Sequence, residues 1–276
     1  MMRPASRAGR APMSNLTLHI EVHDGQGPHL LLVHGIYSGR SHWIRNLDGL
    51  SAFTTPVVVE LLGHGRSPSP EAIEAYHPDW YVEEFERIRE AAGADRWYTC
   101  GQSLGAALTL RYGLRVPGRI AAQAFTNSAT AFSDPAWAEE RRQTMQENLA
   151  TLDPDDRSAI ESSRMNPANN QRLPEDVRTA LRADVALHSP VGIARTALGT
   201  VSHGSVRLAI AANTVPTLMV VGRFEKAFEE NRRYAETTIP NLTTIELDAG
   251  HGVNLDQPEA FNEALRAFFA RHPIDG

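Results

Sequence analysis

The sequence predicts an α/β fold in which a mostly parallel sheet carries helices on both faces. Short apolar runs alternate with helical stretches through the first half of the chain, as in parallel sheets with crossover helices. A polar stretch over residues 133–200 has few strand signals, and strand-like segments return after it. The 276 residues, 42% of them hydrophobic, suffice for one large α/β domain with an insertion.

The predicted strands fall before and after that polar stretch. Those before it cover residues 17–22, 30–33, 56–62, 97–101 and 120–125, and those after it cover residues 216–221 and 242–247. The run Leu-Leu-Leu-Val at residues 30–33 is unbroken, which is typical of a strand buried on both faces.

Helices are predicted over residues 80–92, 104–116 and 257–272 from the three-to-four spacing of their apolar residues. Within residues 133–200, Pro135 and Pro174 stand where helices can begin. We therefore expect an α/β core over residues 15–132 and 201–276 and a helical cap over residues 133–200. The cap is the natural lid of a substrate site.

The composition of the chain limits the classes of partner that we expect the protein to bind. The formal net charge of −6 gives no reason to expect nucleic acid or an anionic membrane, and no apolar run approaches the ~20 residues of a membrane span. Cys100 is the only cysteine, which excludes an intrachain disulfide and is compatible with the cytoplasm, the expected location. A small-molecule substrate is the expected partner, and a homodimer is an arrangement that the sequence allows.

The N-terminal residues are predicted to lie outside the fold. Residues 1–14 contain arginines without a following apolar segment, so they do not form a secretory signal, and we expect a disordered lead. Met13 is an alternative start, in which case residues 1–12 do not belong to the native protein.

Residues 101–105, Gly-Gln-Ser-Leu-Gly, match the nucleophile-elbow pattern G-x-S-x-G. They lie between a predicted strand and a predicted helix, which is the context that the motif requires. The small residues allow the strand and helix to pack closely around a strained turn. A chance match in a loop is the alternative, and the flanking elements argue against it. We predict that Ser103 is a nucleophile.

At four motifs the chain resembles the α/β-hydrolase superfamily. They are LLLVHG at residues 30–35, ELLGHGRS at 60–67, GQSLG at 101–105 and DAGHGVNLDQPEAF at 248–261. The resemblance implies a mostly parallel sheet of the eight-stranded type with a helical cap, and a triad in the chain order serine, acid, histidine.

The resemblance indicates His251 as the general base among 11 histidines, because it lies on a loop after the last predicted strand. His34 matches a loop-shaping position of the family, and His64 is assigned a hydrogen-bonding structural role. Neither has metal-ligand spacing, so we expect no metal and no cofactor.

The acid of the triad is predicted to be Glu225, which stands where the family usually has aspartate. A glutamate carboxylate can also fix the imidazole tautomer and stabilise the imidazolium ion. The 26 residues from Glu225 to His251 leave room for a helix and a strand. Asp248 is the rival acid, but it is too close in sequence to His251 for an easy reach back.

The oxyanion hole is predicted to pair two backbone amides, that of Leu104 and, by resemblance, that of Ile36. Tyr37, Gln102 and Arg164 are candidates for contacting the substrate. For Tyr37, a packing role is the simpler explanation, and most lid arginines are solvated.

The detailed resemblance is to carboxylic ester hydrolases of the 3-oxoadipate enol-lactonase type. It lies at residues 125–129, Trp137, residues 189–192 and the C-terminal motif. A serine nucleophile disfavours haloalkane dehalogenases and epoxide hydrolases, which use aspartate. We predict hydrolysis of an ester or lactone through an acyl-enzyme. The alternatives are a C–C bond hydrolase of dienone acids and, in another class, a ligand-binding receptor with vestigial hydrolase activity.

Overall fold

A computed structural model of the protein describes residues 16–274. The expected disordered lead at residues 1–14 and the alternative start at Met13 lie outside the described residues. Within the described range, no helix combines the length and the apolar composition needed to cross a bilayer.

Residues 16–274 contain seven strands in one sheet, whose order is β1-β3-β2-β4-β5-β6-β7. The strands are β1 (His19–Val22), β2 (His29–Val33), β3 (Thr55–Glu60), β4 (Trp97–Gly101), β5 (Ile120–Thr126), β6 (Thr217–Gly222) and β7 (Leu242–Leu247). Only β1 is antiparallel to its neighbour, so the predicted mostly parallel sheet is confirmed. An eighth strand of the family pattern would have to pair with a free edge, at β1 or β7, and no described residue does so.

Eleven α-helices lie in the described part of the chain. They are α1 (Leu47–Ser51), α2 (Pro78–Ala91), α3 (Leu104–Arg115), α4 (Ala129–Phe132), α5 (Pro135–Thr151), α6 (Ser158–Glu161), α7 (Glu175–Val185), α8 (Pro190–Arg195), α9 (Glu229–Thr238), α10 (Val253–Asp256) and α11 (Pro258–Phe269). The predicted helix over residues 257–272 is α11, which ends three residues earlier than expected.

Strand β2 shows why helices cover both faces of the sheet. Its residues alternate between two apolar clusters: Leu31 and Val33 join the side chains of α2 and α3, whereas Leu30 and Leu32 join those of α1 and α11. All four are fully buried. Burial of a leucine or valine contributes roughly 1.5–3 kcal/mol, so both helix layers stabilise this central strand.

The stretch predicted as the cap contains helices and no described strand. Its helices α5 to α8 are followed by a π-helical segment at Thr196–Val201. Helix α7 and the loop before it share a small apolar cluster with Leu255 of the core. At the end of α7, the buried Asp184 carboxylate accepts the Ser41 N–H at 2.7 Å. One apolar cluster and one buried carboxylate are therefore among the contacts that join the predicted cap to the core.

Candidate active site

Ser103 lies on a sharp turn between β4, which ends at Gly101, and α3, which begins at Leu104. Its backbone has φ +53° and ψ −113°, in the positive-φ region that residues with side chains rarely adopt. Such a conformation costs of order 1–3 kcal/mol and persists only where the surroundings enforce it. It therefore makes Ser103 a candidate site residue independently of the sequence motif.

The surroundings that enforce the turn are backbone groups in close contact. A Cβ atom at Gly105 would overlap the Val33 carbonyl oxygen and lie 2.7 Å from that of His34. From the other side, the Ser128 hydroxyl donates to the Ser103 carbonyl oxygen at 2.6 Å. The small residues of the motif are thus required because α3 packs against the end of β2.

His251 and Glu225 meet through their side chains. The Nδ1 atom of His251 lies 2.8 Å from Oε1 of Glu225. Glu225 follows β6 and His251 follows β7, and Gly222 allows the two strand ends to approach, since a Cβ atom there would lie 2.6 Å from the Ala249 carbonyl oxygen. The Phe224 N–H also donates to that oxygen at 3.0 Å. Adjacent parallel strands thus bring an acid and a histidine together.

The imidazole of His251 is oriented by this contact. An ionised carboxylate only accepts hydrogen bonds, so Nδ1 carries the proton and the Nε2 atom of the neutral ring has a free lone pair. Such a nitrogen can take a proton from a hydroxyl group.

Asn127 is a further residue of this cluster, which the sequence analysis did not assign a role. Its fully buried side chain donates from Nδ2 to Oε2 of Glu225 and accepts the Gly222 N–H at Oδ1, at 3.2 Å. Both oxygens of Glu225 are therefore engaged. The sequence did contain one signal for Asn127, because it is a polar residue directly after β5, at the edge of the sheet where the other candidate site residues lie.

Asp248, the rival acid, points elsewhere. Its carboxylate pairs with Nε of Arg223 at 2.7 Å, and its side chain is 58% exposed. The structure thus brings Glu225, rather than Asp248, to the imidazole.

Ser103, His251 and Glu225 all line one cavity of about 840 Å³, which is large enough for a small organic ligand. The core contributes Ile36, Ser38, His42 and Gln102 to its wall, and the predicted cap contributes a segment within residues 162–172. No group of three His, Cys, Asp or Glu side chains in residues 16–274 is arranged to hold a metal ion.

The two amides predicted to form the oxyanion hole belong to the loop after β2 and to the start of α3. Ile36 lines the cavity after β2, and Leu104 is the first residue of α3, directly after Ser103. Neither amide donates to an acceptor within residues 16–274. Both N–H groups are therefore free to bind an external oxygen, and the dipole of α3 reinforces the one at Leu104.

The three residues predicted to contact the substrate differ in whether they line the cavity. Gln102 and Arg164 line the cavity, whereas Tyr37 does not. Tyr37 has φ +60°, and its ring packs against the apolar cluster beneath α2. The left-handed turn explains the difference, because it directs Tyr37 away while its neighbours Ile36 and Ser38 face the cavity.

His34 and His64 bond backbone groups of neighbouring loops, in agreement with the structural roles predicted from the sequence. The His34 ring donates from Nδ1 to the Gly35 carbonyl oxygen at 2.7 Å and accepts the Leu61 N–H at Nε2, at 3.1 Å. The His64 Nδ1 atom bonds the Leu62 carbonyl oxygen at 2.9 Å. Burial lowers the pKa of both rings, which keeps them neutral.

The wall formed by residues 162–172 carries two arginines. Arg164 and Arg172 are exposed, and neither forms an ion pair with a described residue. Asp256 connects this wall to the histidine loop, because it accepts the Gly250 N–H at 2.9 Å and the Asn170 side-chain amide at 3.2 Å. A contact between wall and loop thus lies one residue from His251.

Comparison with known proteins identifies the family of the chain. The model of the alpha/beta hydrolase fold family matches residues 28–258. The chain belongs to the α/β-hydrolase family. It is a hydrolase of this family, and the activities of its relatives vary.

A protein of Bacillus subtilis, named as a candidate 2-succinyl-6-hydroxy-2,4-cyclohexadiene-1-carboxylate synthase, is 23% identical, covering 91% of this chain and 98% of the relative. Among solved structures, MenH from S. aureus superposes with a TM-score of 0.80 at 18% identity, over 92% of this chain and 98% of that chain. The enol-lactonase from Burkholderia xenovorans LB400 gives 0.73 at 20% identity, over 92% and 96%. At these identities the solved structures support the fold.

Proposed function

We propose that the protein hydrolyses a carboxylic ester or lactone through an acyl-enzyme formed on Ser103. The observation that carries the proposal is the 2.8 Å contact between His251 and Glu225, in the wall of the cavity that also holds Ser103 on its strained turn. Serine at its ordinary pKa is a poor nucleophile, so it requires such an oriented base.

In the proposed reaction, Nε2 of His251 removes the Ser103 proton as Oγ attacks the carbonyl carbon. The negative charge on the tetrahedral intermediate is bound by the amides of Ile36 and Leu104. His251 then protonates the leaving oxygen, the C–O bond breaks, and the acyl-enzyme remains. A water molecule attacks the acyl carbon and gives its proton to His251, and collapse of the second intermediate returns the proton to Ser103.

Glu225 acts through the histidine. Its carboxylate keeps the Nδ1 proton in place and stabilises the imidazolium ion formed during attack. Asn127 holds the second oxygen of Glu225, so we assign it as a positioning residue rather than a catalytic one.

The cavity wall favours a substrate that carries a carboxylate. Arg164 and Arg172 line the cavity, and neither is paired with an acid of the described chain. A guanidinium group binds a carboxylate in a planar two-point contact. We therefore propose a small ester or lactone with an acidic substituent.

A second candidate is the synthase activity for which the Bacillus subtilis relative is named. That name contains a succinyl group and a carboxylate, and the two arginines suit such anions. Both candidates use the same serine and histidine, and they differ in whether an ester bond is broken.

The test is turnover by Ser103→Ala, with Ser51→Ala as the matched control because Ser51 lies in α1, away from the cavity wall. We expect the wild type and the control to hydrolyse aryl esters and an enol-lactone, and Ser103→Ala to lose at least about 10³-fold in kcat. Retention of activity by Ser103→Ala contradicts the proposal. Turnover of a dienone acid without ester cleavage favours C–C hydrolysis, and ligand binding without any turnover favours a receptor.

A further inference from the structure

A second polar network borders the same cavity and has no part in the proposed reaction. Ser38 and His42 line the cavity, and Asn254, Asn46 and Asn262 lie behind them. Its members join the loop after β2 to α10 and α11, across more than 200 residues of sequence.

The orientation of each amide in the network is fixed by a backbone carbonyl, which can only accept. Asn46 donates from Nδ2 to the Asn254 carbonyl oxygen at 3.1 Å, and Asn262 donates to that of Asn46 at 3.2 Å. Asn254 donates to the His42 carbonyl oxygen at 2.9 Å. The Oδ1 atom of Asn254 therefore faces the His42 ring as an acceptor.

This orientation determines the tautomer of His42. Its Nε2 atom lies 3.0 Å from Oδ1 of Asn254, so Nε2 carries the ring proton. Burial lowers the pKa of His42 to about 3, so the ring is neutral and Nδ1 has only a lone pair. That nitrogen lies 2.9 Å from Oγ of Ser38, which must therefore donate to it.

Because Ser38 donates its hydroxyl proton to His42, Oγ can only accept further hydrogen bonds through its lone pairs. Ser38 is not a second nucleophile, because a ring with so low a pKa is too weak a base to activate it. The left-handed turn at Tyr37 places Ser38 on the cavity wall two residues after Ile36, whose amide is the expected oxyanion donor.

We propose that Ser38 is a specificity residue whose Oγ accepts a hydrogen bond from a hydroxyl group on the acyl part of the substrate. The inference rests on the proposed ester or lactone hydrolysis and adds a substrate class to it, hydroxy-acid esters. The hydroxyl group would lie near the reacting carbonyl, because Ser38 is close along the chain to the oxyanion loop.

The kinetic test compares aryl esters that differ at one acyl carbon, which carries hydroxyl, fluorine or hydrogen, in parallel series substituted at carbon 2 and carbon 3. Fluorine can accept weakly but cannot donate. Because fluorine near the carbonyl also raises the intrinsic reactivity of an ester, each ester is compared between the wild type and the variant. In one series we expect Ser38→Ala to lower kcat/KM for the hydroxyl ester about tenfold more than for either other ester, the effect of one well-placed hydrogen bond. Ser51→Ala should change none of the three.

A fluorine ester that loses as much as the hydroxyl ester on Ser38→Ala in both series, while the hydrogen ester does not, overturns the proposal, since it would mean that Ser38 donates. An unchanged hydroxyl preference in Ser38→Ala also overturns it. Equal loss on all three esters in that variant indicates a merely structural or water-holding role and counts against it.

The tautomer can be measured without turnover. Nitrogen-15 NMR of the labelled protein should show the His42 ring protonated at Nε2 and unprotonated at Nδ1, and the reverse pattern overturns the inference. If the wild type cleaves no ester, the proposed hydrolysis fails by itself. The same order, hydroxyl above fluorine and hydrogen, must then appear in the binding of the three free acids, or the Ser38 proposal fails too.

Discussion

The two walls of the cavity are built differently. The core wall includes side chains that are nearly fully buried, such as Ser103, Gln102 and Ser38, near loops in which backbone atoms make close contacts. The wall at residues 162–172 is largely exposed, and its tie to the histidine loop is the bond from Asn170 to Asp256. We infer that the core wall sets the geometry of attack and, through Ser38, contacts the acyl group, whereas the more loosely held wall binds an acidic substituent of the substrate.

The largest effect should come from the acid on the core side. Glu225→Gln removes the negative charge that fixes the His251 tautomer, and we expect kcat to fall by about 10⁴-fold. Asp248→Asn is the matched control, because that carboxylate pairs with Arg223 at the surface. Steady-state kinetics of the two variants decide the assignment, and a large loss in Asp248→Asn with a small one in Glu225→Gln would reverse it.

The locked backbone of the core wall is tested by Gly105→Ala. The added methyl group meets backbone atoms of Val33 and His34 that cannot move away, so the free energy of unfolding should fall by about 3 kcal/mol. Gly118→Ala adds the same group where no atom lies within 4 Å, and it should change stability little. Urea unfolding measures both variants. Equal stabilities would show that the close contact at the elbow is not enforced.

Acid should weaken a contact between the predicted cap and the core that His188 makes. This ring, from the predicted cap, accepts the Gly65 N–H at 2.9 Å, and burial lowers its pKa to about 3. Below pH 6.5 the unfolded chain binds a proton that the folded chain excludes, so stability falls as pH drops toward 3. Between pH 6.5 and 5 this amounts to about 1.6 kcal/mol.

The measurement is urea unfolding of the wild type and His188→Gln at both pH values. The difference in stability between pH 6.5 and 5 should be about 1.6 kcal/mol smaller in the variant. An identical pH difference would mean that the His188 ring is not held neutral in the fold.

The smallest effect should come from the exposed wall. Arg164→Ala and Arg172→Ala remove cations without breaking a packed contact, so stability should stay within about 0.5 kcal/mol of the wild type. For aryl esters that carry a free carboxylate, KM should rise roughly fivefold, while neutral esters are unaffected. Paired kinetics with a succinate half-ester and a butyrate ester test this, and an equal change for both would exclude carboxylate recognition by these arginines.

Sequence reasoning succeeded where the determinants are local. The strand, turn and helix around Ser103 are contiguous, and the glycine of the elbow can be interpreted from the contacts that it must allow. The bounds of β4 and β7 were predicted to the residue for the same reason, because an apolar run between turn residues specifies a buried strand without reference to distant contacts.

What sequence reasoning missed depends on distant contacts. Asn127 reaches Glu225 across 98 residues, and His42 reaches Asn254 across 212. A local sequence pattern cannot predict contacts between residues so far apart in the chain. Tyr37 was a candidate for contacting substrate, with packing as the simpler explanation, and its partly buried side chain packs against the apolar cluster that includes α2. The left-handed backbone of Tyr37 is not encoded in a local pattern of residue types.

The central claim, acyl transfer through Ser103, is tested most directly by trapping the intermediate. Wild-type protein mixed with a slowly deacylated aryl ester, quenched in acid and analysed by intact-protein and peptide mass spectrometry, should carry one acyl group, on Ser103. The adduct should be absent from Ser103→Ala and should accumulate with a burst of released phenol. Continued hydrolysis with no acyl group on Ser103, or with the label on another residue, would contradict the account.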